Sequence, residues 1–369
     1  MDEIMDPRER VLAALRHEAP DRVPFTWGFG PTPEMAATLR AYLAPQGVDW
    51  DLLQALTDDK IHVAPAYRGP SCADPGLGMW GIRVRSADYG AGHYEEFTDF
   101  PLAGTVDLKA IDAYPWPDPN GFDYAGLATT LPADTTRALQ FSAGNPFELY
   151  CWMTGLEEAL VNLLTEPEVV RRALEHITDF LEARLRRTLM AAAGRIDLVF
   201  LADDLGTQQN LLMSREAYCA VLQPFHRRLV DAVRQCAPQA FCLIHSDGAV
   251  FDIIPDLLDA GIDALEAVQT DAAGMDPARL KRAYGARLSF QGAISVQHLL
   301  PHGDCETVAR ACGKLVSILG AGGGYIAAPS HAIQVGTPPV NVIAMLRTML
   351  GGDEFDRVMG ESGLMTHYS

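Results

Sequence analysis

Polar residues of catalytic type collect just beyond short apolar runs in the second half of this chain. Asp203, Asp204 and Gln208 follow Phe200-Leu201, and His245, Ser246 and Asp247 follow Leu243-Ile244. Glu266 and Gln269 lie in or just after the next run, Gln291 ends the one after it, and Ser330 and His331 follow Ala327-Ala-Pro. A His-x-Asp pair leaving a strand points two donors at one centre, and a second histidine completes three. Three protein ligands with one open position is the catalytic arrangement for zinc, so His245, Asp247 and His331 are the expected ligands of a divalent metal. The metal-free alternative has His245 hydrogen-bonded to a neighbouring carboxylate and polarised for acid–base work. Asp203 and Asp204 are adjacent at a strand end and must point apart. One is expected to face substrate while the other caps a helix or pairs with arginine, and two near carboxylates can raise one pKa enough to make a general acid.

The expected catalytic set is therefore Asp203, Asp204, His245 and Glu266. Gln208, Gln269 and Gln291, with Phe147 and Trp27, are the expected substrate contacts. His62, His93, His226, His298 and His302 show no partner in the sequence and are read as ordinary surface or core residues.

Placing these groups together requires a particular scaffold. Asp6 as N-cap and Pro7 at the first helical position start a helix running to about residue 17, and Arg22-Val-Pro-Phe-Thr-Trp-Gly reads as a short strand. Residues 60–125 are rich in Pro, Gly and aromatics and read as an irregular insertion of short strands and loops packed on the main body. From about residue 137 apolar strands alternate with helices. Strands are expected at 138–144, 197–202, 241–244, 264–268, 287–291 and 324–328. The helices expected between and after them span 147–164, 168–193, 214–235, 250–260, 276–284, 304–319 and 338–350. Such alternation implies parallel strands joined by helical crossovers. With one strand at the N-terminus and one near Ile61-His-Val-Ala-Pro the count reaches eight, that of a single α/β domain over 1–369 folded as a (β/α)8 TIM barrel. A doubly wound sheet is disfavoured because no glycine-rich phosphate turn follows the first strand. In a barrel the C-terminal strand ends share one face, where the polar residues above would meet.

Composition narrows the partners. The 369 residues carry 29 Lys+Arg against 48 Asp+Glu, a net charge of −19. That field repels phosphate backbones and anionic lipid, so neither nucleic acid nor membrane is an expected partner. The charged N-terminus lacks the apolar core of a signal peptide, no apolar run approaches a membrane span, and the seven cysteines form no C-x-x-C pair. A cytoplasmic protein with reduced thiols is expected.

Several segments resemble the uroporphyrinogen decarboxylase-like superfamily. They are Arg8-Glu-Arg-Val-Leu-Ala-Ala-Leu with Pro20-Asp-Arg-Val-Pro, Leu201-Ala-Asp-Asp-Leu-Gly-Thr-Gln, His245-Ser-Asp-Gly and Ala273-Gly-Met-Asp-Pro. Tyr284-Gly-Ala-Arg-Leu-Ser-Phe-Gln-Gly-Ala-Ile, Gly323-Gly-Tyr-Ile-Ala-Ala-Pro-Ser-His and Thr337-Pro-Pro continue the series in order. The resemblance implies a (β/α)8 barrel and a homodimer. Decarboxylases of haem synthesis carry a stretch of the form Met-Arg-Gln-Ala-Gly-Arg to grip porphyrinogen carboxylates. Here the corresponding Thr26-Trp-Gly-Phe-Gly-Pro-Thr-Pro-Glu is followed by no arginine before Arg40. The corrinoid-linked methyltransferase branch is the nearer likeness, and its members hold zinc through a His-x-Cys pair and a later Cys. In this chain the matching positions are His245, Asp247 and either His331 or Ser330, so soft sulfur is replaced by harder donors suited to an oxygen ligand. The resemblance implies a methyltransferase or demethylase acting on a small methylated substrate, with zinc or another divalent metal, and a corrinoid carried by a partner protein. A metal-free decarboxylase of a small carboxylic acid and a non-catalytic ligand-binding barrel are the alternatives.

Overall fold

Strands buried on both faces are the signature of a parallel sheet covered by helices, and the later strands here have it. In this computed structural model, which describes residues 4–69, 76–88, 90, 92–132 and 135–363, β1 is Lys60–His62, β2 Ala66–Tyr67, β3 Arg83–Asp88, β4 His93–Asp99 and β5 Phe122–Asp123. The series continues with β6 (Ala138–Gly144), β7 (Leu198–Ala202), β8 (Phe241–His245), β9 (Ala264–Ala267), β10 (Ser289–Ile294) and β11 (Tyr325–Pro329). Every residue of β9, β10 and β11 is buried. One seven-stranded sheet has the order β1-β6-β7-β8-β9-β10-β11. The pairs β6/β7, β7/β8, β9/β10 and β10/β11 are all parallel. Phe25 adds an eighth position as a parallel bridge to Ala327, with the Thr26 N–H donating to the Ala327 carbonyl at 3.0 Å. The fold is the expected (β/α)8 barrel.

The helices begin where their capping chemistry predicts. Asp6 and Glu9 form a capping box at Pro7–Leu15, and Asp276 and Asp304 cap Pro277–Tyr284 and Cys305–Leu319. Two expected helices are broken. The one expected over 147–164 divides into Pro146–Thr154 and Leu156–Thr165 at Gly155, whose φ of 96° no helix accepts. The one expected over 214–235 begins after Ser214 and passes through a π turn at Tyr218–Leu222 before Gln223–Cys236. Pro224 cannot donate a helical hydrogen bond and forces that change of pitch. Helices Pro33–Leu43, Trp50–Thr57 and Gly352–Glu361 were not expected.

The chain divides into two compact units. One comprises Met1–Ile61, Thr135–Ala138 and Ala264–Ser369, the other His62–Asp134 and Leu139–Asp263. In the second unit the region expected as an insertion holds two small antiparallel pairs, β3/β4 and β2/β5. The helix Pro167–Ala192 buries one face from Val169 to Ala192 in the same unit. Among the described residues no helix is long and apolar enough to cross a membrane, and six cysteines are free thiols. Cys72 lies outside the described residues.

Candidate active site

The turns leaving β7 and β8 are zipped together by their own backbones. Ala202 lies in register with His245, and the Asp203 N–H donates to the His245 carbonyl at 3.0 Å. Beyond the strands, Leu205 N–H donates to Ser246 Oγ, Asp247 N–H to Asp204 Oδ1 at 2.9 Å, and Ala249 N–H to the Thr207 carbonyl. Glycine makes this approach possible. Gly248 has φ of 83°, and a Cβ on Gly206 would sit 2.8 Å from the Asp247 carbonyl oxygen.

The zipper brings Asp204, His245 and Asp247 together. One ligand-type atom from each lies within 4.8 Å of the others, and His245 Nε2 is 3.5 Å from Asp204 Oδ1 and 3.7 Å from Asp247 Oδ1. Donors held about 2.0–2.1 Å from a tetrahedral zinc stand ~3.4 Å apart, so the group fits a small divalent cation. One imidazole nitrogen and two carboxylates make a hard donor set without thiolate. Of the residues expected as ligands, His245 and Asp247 lie in this group, and Asp204 lies with them. His331 belongs to the other unit and packs its ring against Phe29, with centroids 5.0 Å apart.

Asp203, the neighbour of Asp204, does the structural half of the work. It is wholly buried; its Oδ1 accepts from the Glu148 N–H at 2.8 Å and its Oδ2 meets His226 Nε2 at 2.6 Å. The other ring nitrogen of His226 meets the Tyr218 hydroxyl at 3.1 Å. Asp203 was expected among the catalytic groups and His226 was expected to have no partner. Together they anchor the start of Pro146–Thr154 to the end of β7.

That helix start delivers the residue the sequence reading missed. Glu148 lines a cavity of about 570 Å³ with Asp204, Phe97, Phe147, Cys151 and Trp152, all in the second unit. Burial, together with the nearby Asp203 and Asp204, pushes the Glu148 carboxyl up to about 8. Burial raises the Cys151 thiol far above its ordinary range, so no thiolate is available there. Glutamate in the first turn of a helix is so common a dipole partner that nothing in the sequence marked this one.

The remaining expected residues divide between the units. Phe147, expected as a substrate contact, lines the cavity. Gln208 is exposed on the turn after β7. Gln291 and Glu266 are in register on β10 and β9 of the first unit, where buried Lys60 donates from Nζ to Gln291 Oε1 at 2.6 Å. Burial pulls the Lys60 ammonium down to about 8, although Asp58 and Glu266 oppose the shift. Gln269 is buried in the same unit. Trp27 is a core residue, 1% exposed, donating from Nε1 to Thr57 and packed edge-on against Phe25 and Trp50.

Comparison with known proteins adds an independent line. The family profile described as "Uroporphyrinogen decarboxylase (URO-D)" matches residues 106–350. A uroporphyrinogen decarboxylase of Coxiella burnetii is 25% identical over 213 residues, covering 56% of this chain and 56% of that protein. The chain thus spans little more than half the length of the curated relatives it matches. Among solved structures, a methyltransferase from Methanosarcina mazei aligns with a TM-score of 0.66 at 18% identity, over 95% of this chain and 99% of that one. At that identity the likeness shows the fold alone.

Proposed function

The chain belongs to the uroporphyrinogen decarboxylase family, and on that premise we propose that it is a metal-assisted methyltransferase or demethylase acting on a small methylated molecule. The observation that carries this reading is the cluster of Asp204, His245 and Asp247 beside the cavity lined by Glu148. The name of the Methanosarcina mazei structure agrees with it. Asp204, His245 and Asp247 would hold the divalent cation, zinc being the first choice. When bound, such a cation supplies Lewis acidity to a substrate oxygen.

The chain's own groups supply the rest. Phe147 and Trp152 enclose the substrate and exclude water. As the methyl group passes from the substrate oxygen to an acceptor nucleophile, that oxygen gains an electron pair, and Glu148, lining the same cavity, is the group placed to protonate it. A reduced corrinoid on a partner protein is the proposed acceptor, and its methylated form the donor in the reverse direction. Uroporphyrinogen itself is a poor fit, since no arginine lies between Thr26 and Arg40 and the net charge is −19.

The test is metal analysis of purified protein with and without Asp247→Asn, joined to a screen of O-methylated compounds for methyl transfer. Stoichiometric metal that is lost in the variant supports the proposal, and absence of metal from active protein overturns it. The second reading is metal-free decarboxylation, favoured by the name of the Coxiella burnetii relative. There His245 would protonate the carbanion left by carbon dioxide. Chelator-resistant carbon dioxide release would select it.

A further inference from the structure

A second cavity of about 510 Å³ lies within the same unit, lined by aromatic side chains and by one cation, Arg184. Arg184 projects from the helix Pro167–Ala192, where its neighbours are satisfied: Arg186 pairs with Glu182, and Arg187 donates to Asn120. Arg184 is different. Its guanidinium lies over two rings, 5.2 Å from the Phe122 centroid and 5.0 Å from that of Phe141. Its buried Nε donates to none of the described residues, and among them no carboxylate lies within ion-pair distance.

Ring faces near a guanidinium stabilise it by roughly 0.5–2 kcal/mol. They do not take the place of an anion, and the N–H donors of a guanidinium match the two oxygens of a carboxylate. A half-buried cation with no carboxylate partner among the described residues is costly to keep. We propose that this cavity binds an organic monocarboxylate with a flat apolar body, its carboxylate gripped in the plane of Arg184 and its body laid against Trp80, Phe97 and Trp152. A phosphate dianion fits less well, because the cavity offers this single cation and also carries Glu95.

Glu95, Phe97 and Trp152 line both this cavity and the one holding Glu148 and Asp204. A molecule anchored at Arg184 therefore directs its far end toward the carboxyl cluster, so the carboxylate is the handle by which substrate is held. That last step rests on the proposed function, whereas the anchoring does not.

The experiment titrates EDTA-treated protein with 2-naphthoate and with its neutral isostere 2-naphthamide, read by tryptophan fluorescence and calorimetry. The carboxylate should bind at least about tenfold more tightly than the amide, a gap of about 1.4 kcal/mol, and Arg184→Gln should abolish that preference. Equal binding of the two probes, or a preference that survives Arg184→Gln, overturns the proposal. Should Arg184→Gln fail to fold, phenylglyoxal labelling of wild-type protein decides. Protection of Arg184 by 2-naphthoate and not by 2-naphthamide supports the site, and equal labelling overturns it. Because metal is stripped throughout, a failed metal reading leaves these outcomes unchanged.

Discussion

At the scale of single residues, the two adjacent aspartates after β7 have opposite tasks. Asp204 shares its Oδ1 between the Asp247 N–H and the vicinity of His245 Nε2, while Asp203 is sealed against His226 and the Glu148 N–H. The two should fail differently. Asp204→Asn and Asp247→Asn are expected to weaken zinc binding by about 100-fold or more, by calorimetry, with little change in melting temperature. Asp203→Ala should cost about 2–4 kcal/mol of stability in denaturant unfolding, because it orphans a buried imidazole and a buried N–H together. Glu148 adds a pH signature. Its carboxyl is pushed up from an ordinary 4.5 to about 8, so the folded state holds a proton that the unfolded state releases. That contribution to stability is complete below the ordinary glutamate range and is lost as pH rises through about 8. In metal-free protein Glu148→Gln should therefore gain melting temperature over wild type at about pH 9 and not at about pH 4. The same variant should slow turnover by about 100-fold or more.

At the scale of elements, the site depends on two turns approaching as closely as backbones can. Ala202 and His245 set the register, and Gly206 and Gly248 let the turns touch. Gly248→Ala places a Cβ in the left-handed region and 2.5 Å from the Thr207 carbonyl oxygen. It should cost about 2 kcal/mol or more and lower metal affinity through the displaced Asp247. Thermal melts with zinc titration check both. Preserved zinc affinity in a destabilised variant would separate the turn from the donors it carries.

At the scale of the whole molecule, a net charge of −19 sets a long-range field that an anionic ligand must cross. Arg184 attracts only at close range, since the Debye length is about 10 Å at 0.1 M salt. For any carboxylate substrate, KM should fall as ionic strength rises from about 10 to 200 mM, because repulsion is screened before the local contact is weakened. A KM that rises with salt would mean that a cationic entrance governs association.

Local rules were enough to foresee much of this protein. Alternating apolar runs, capping residues and prolines located the strands from Ala138 to Pro329 and most helix starts, because each depends on neighbours within a few positions. The pairing of His245 with Asp247 was equally legible, being two residues on one turn. Other features depended on partners far along the chain. Alternation says that Asp203 and Asp204 diverge, but only the helix carrying His226 decides which of them is buried. That Asp204 comes to lie beside His245 follows from how two turns lock, which spacing along the chain cannot express. Glu148 and Arg184 are ordinary helix residues until the cavities around them remove water from a carboxyl and leave a guanidinium edge without a partner. Desolvation and pairing are properties of the packed interior, and the tertiary structure decided them.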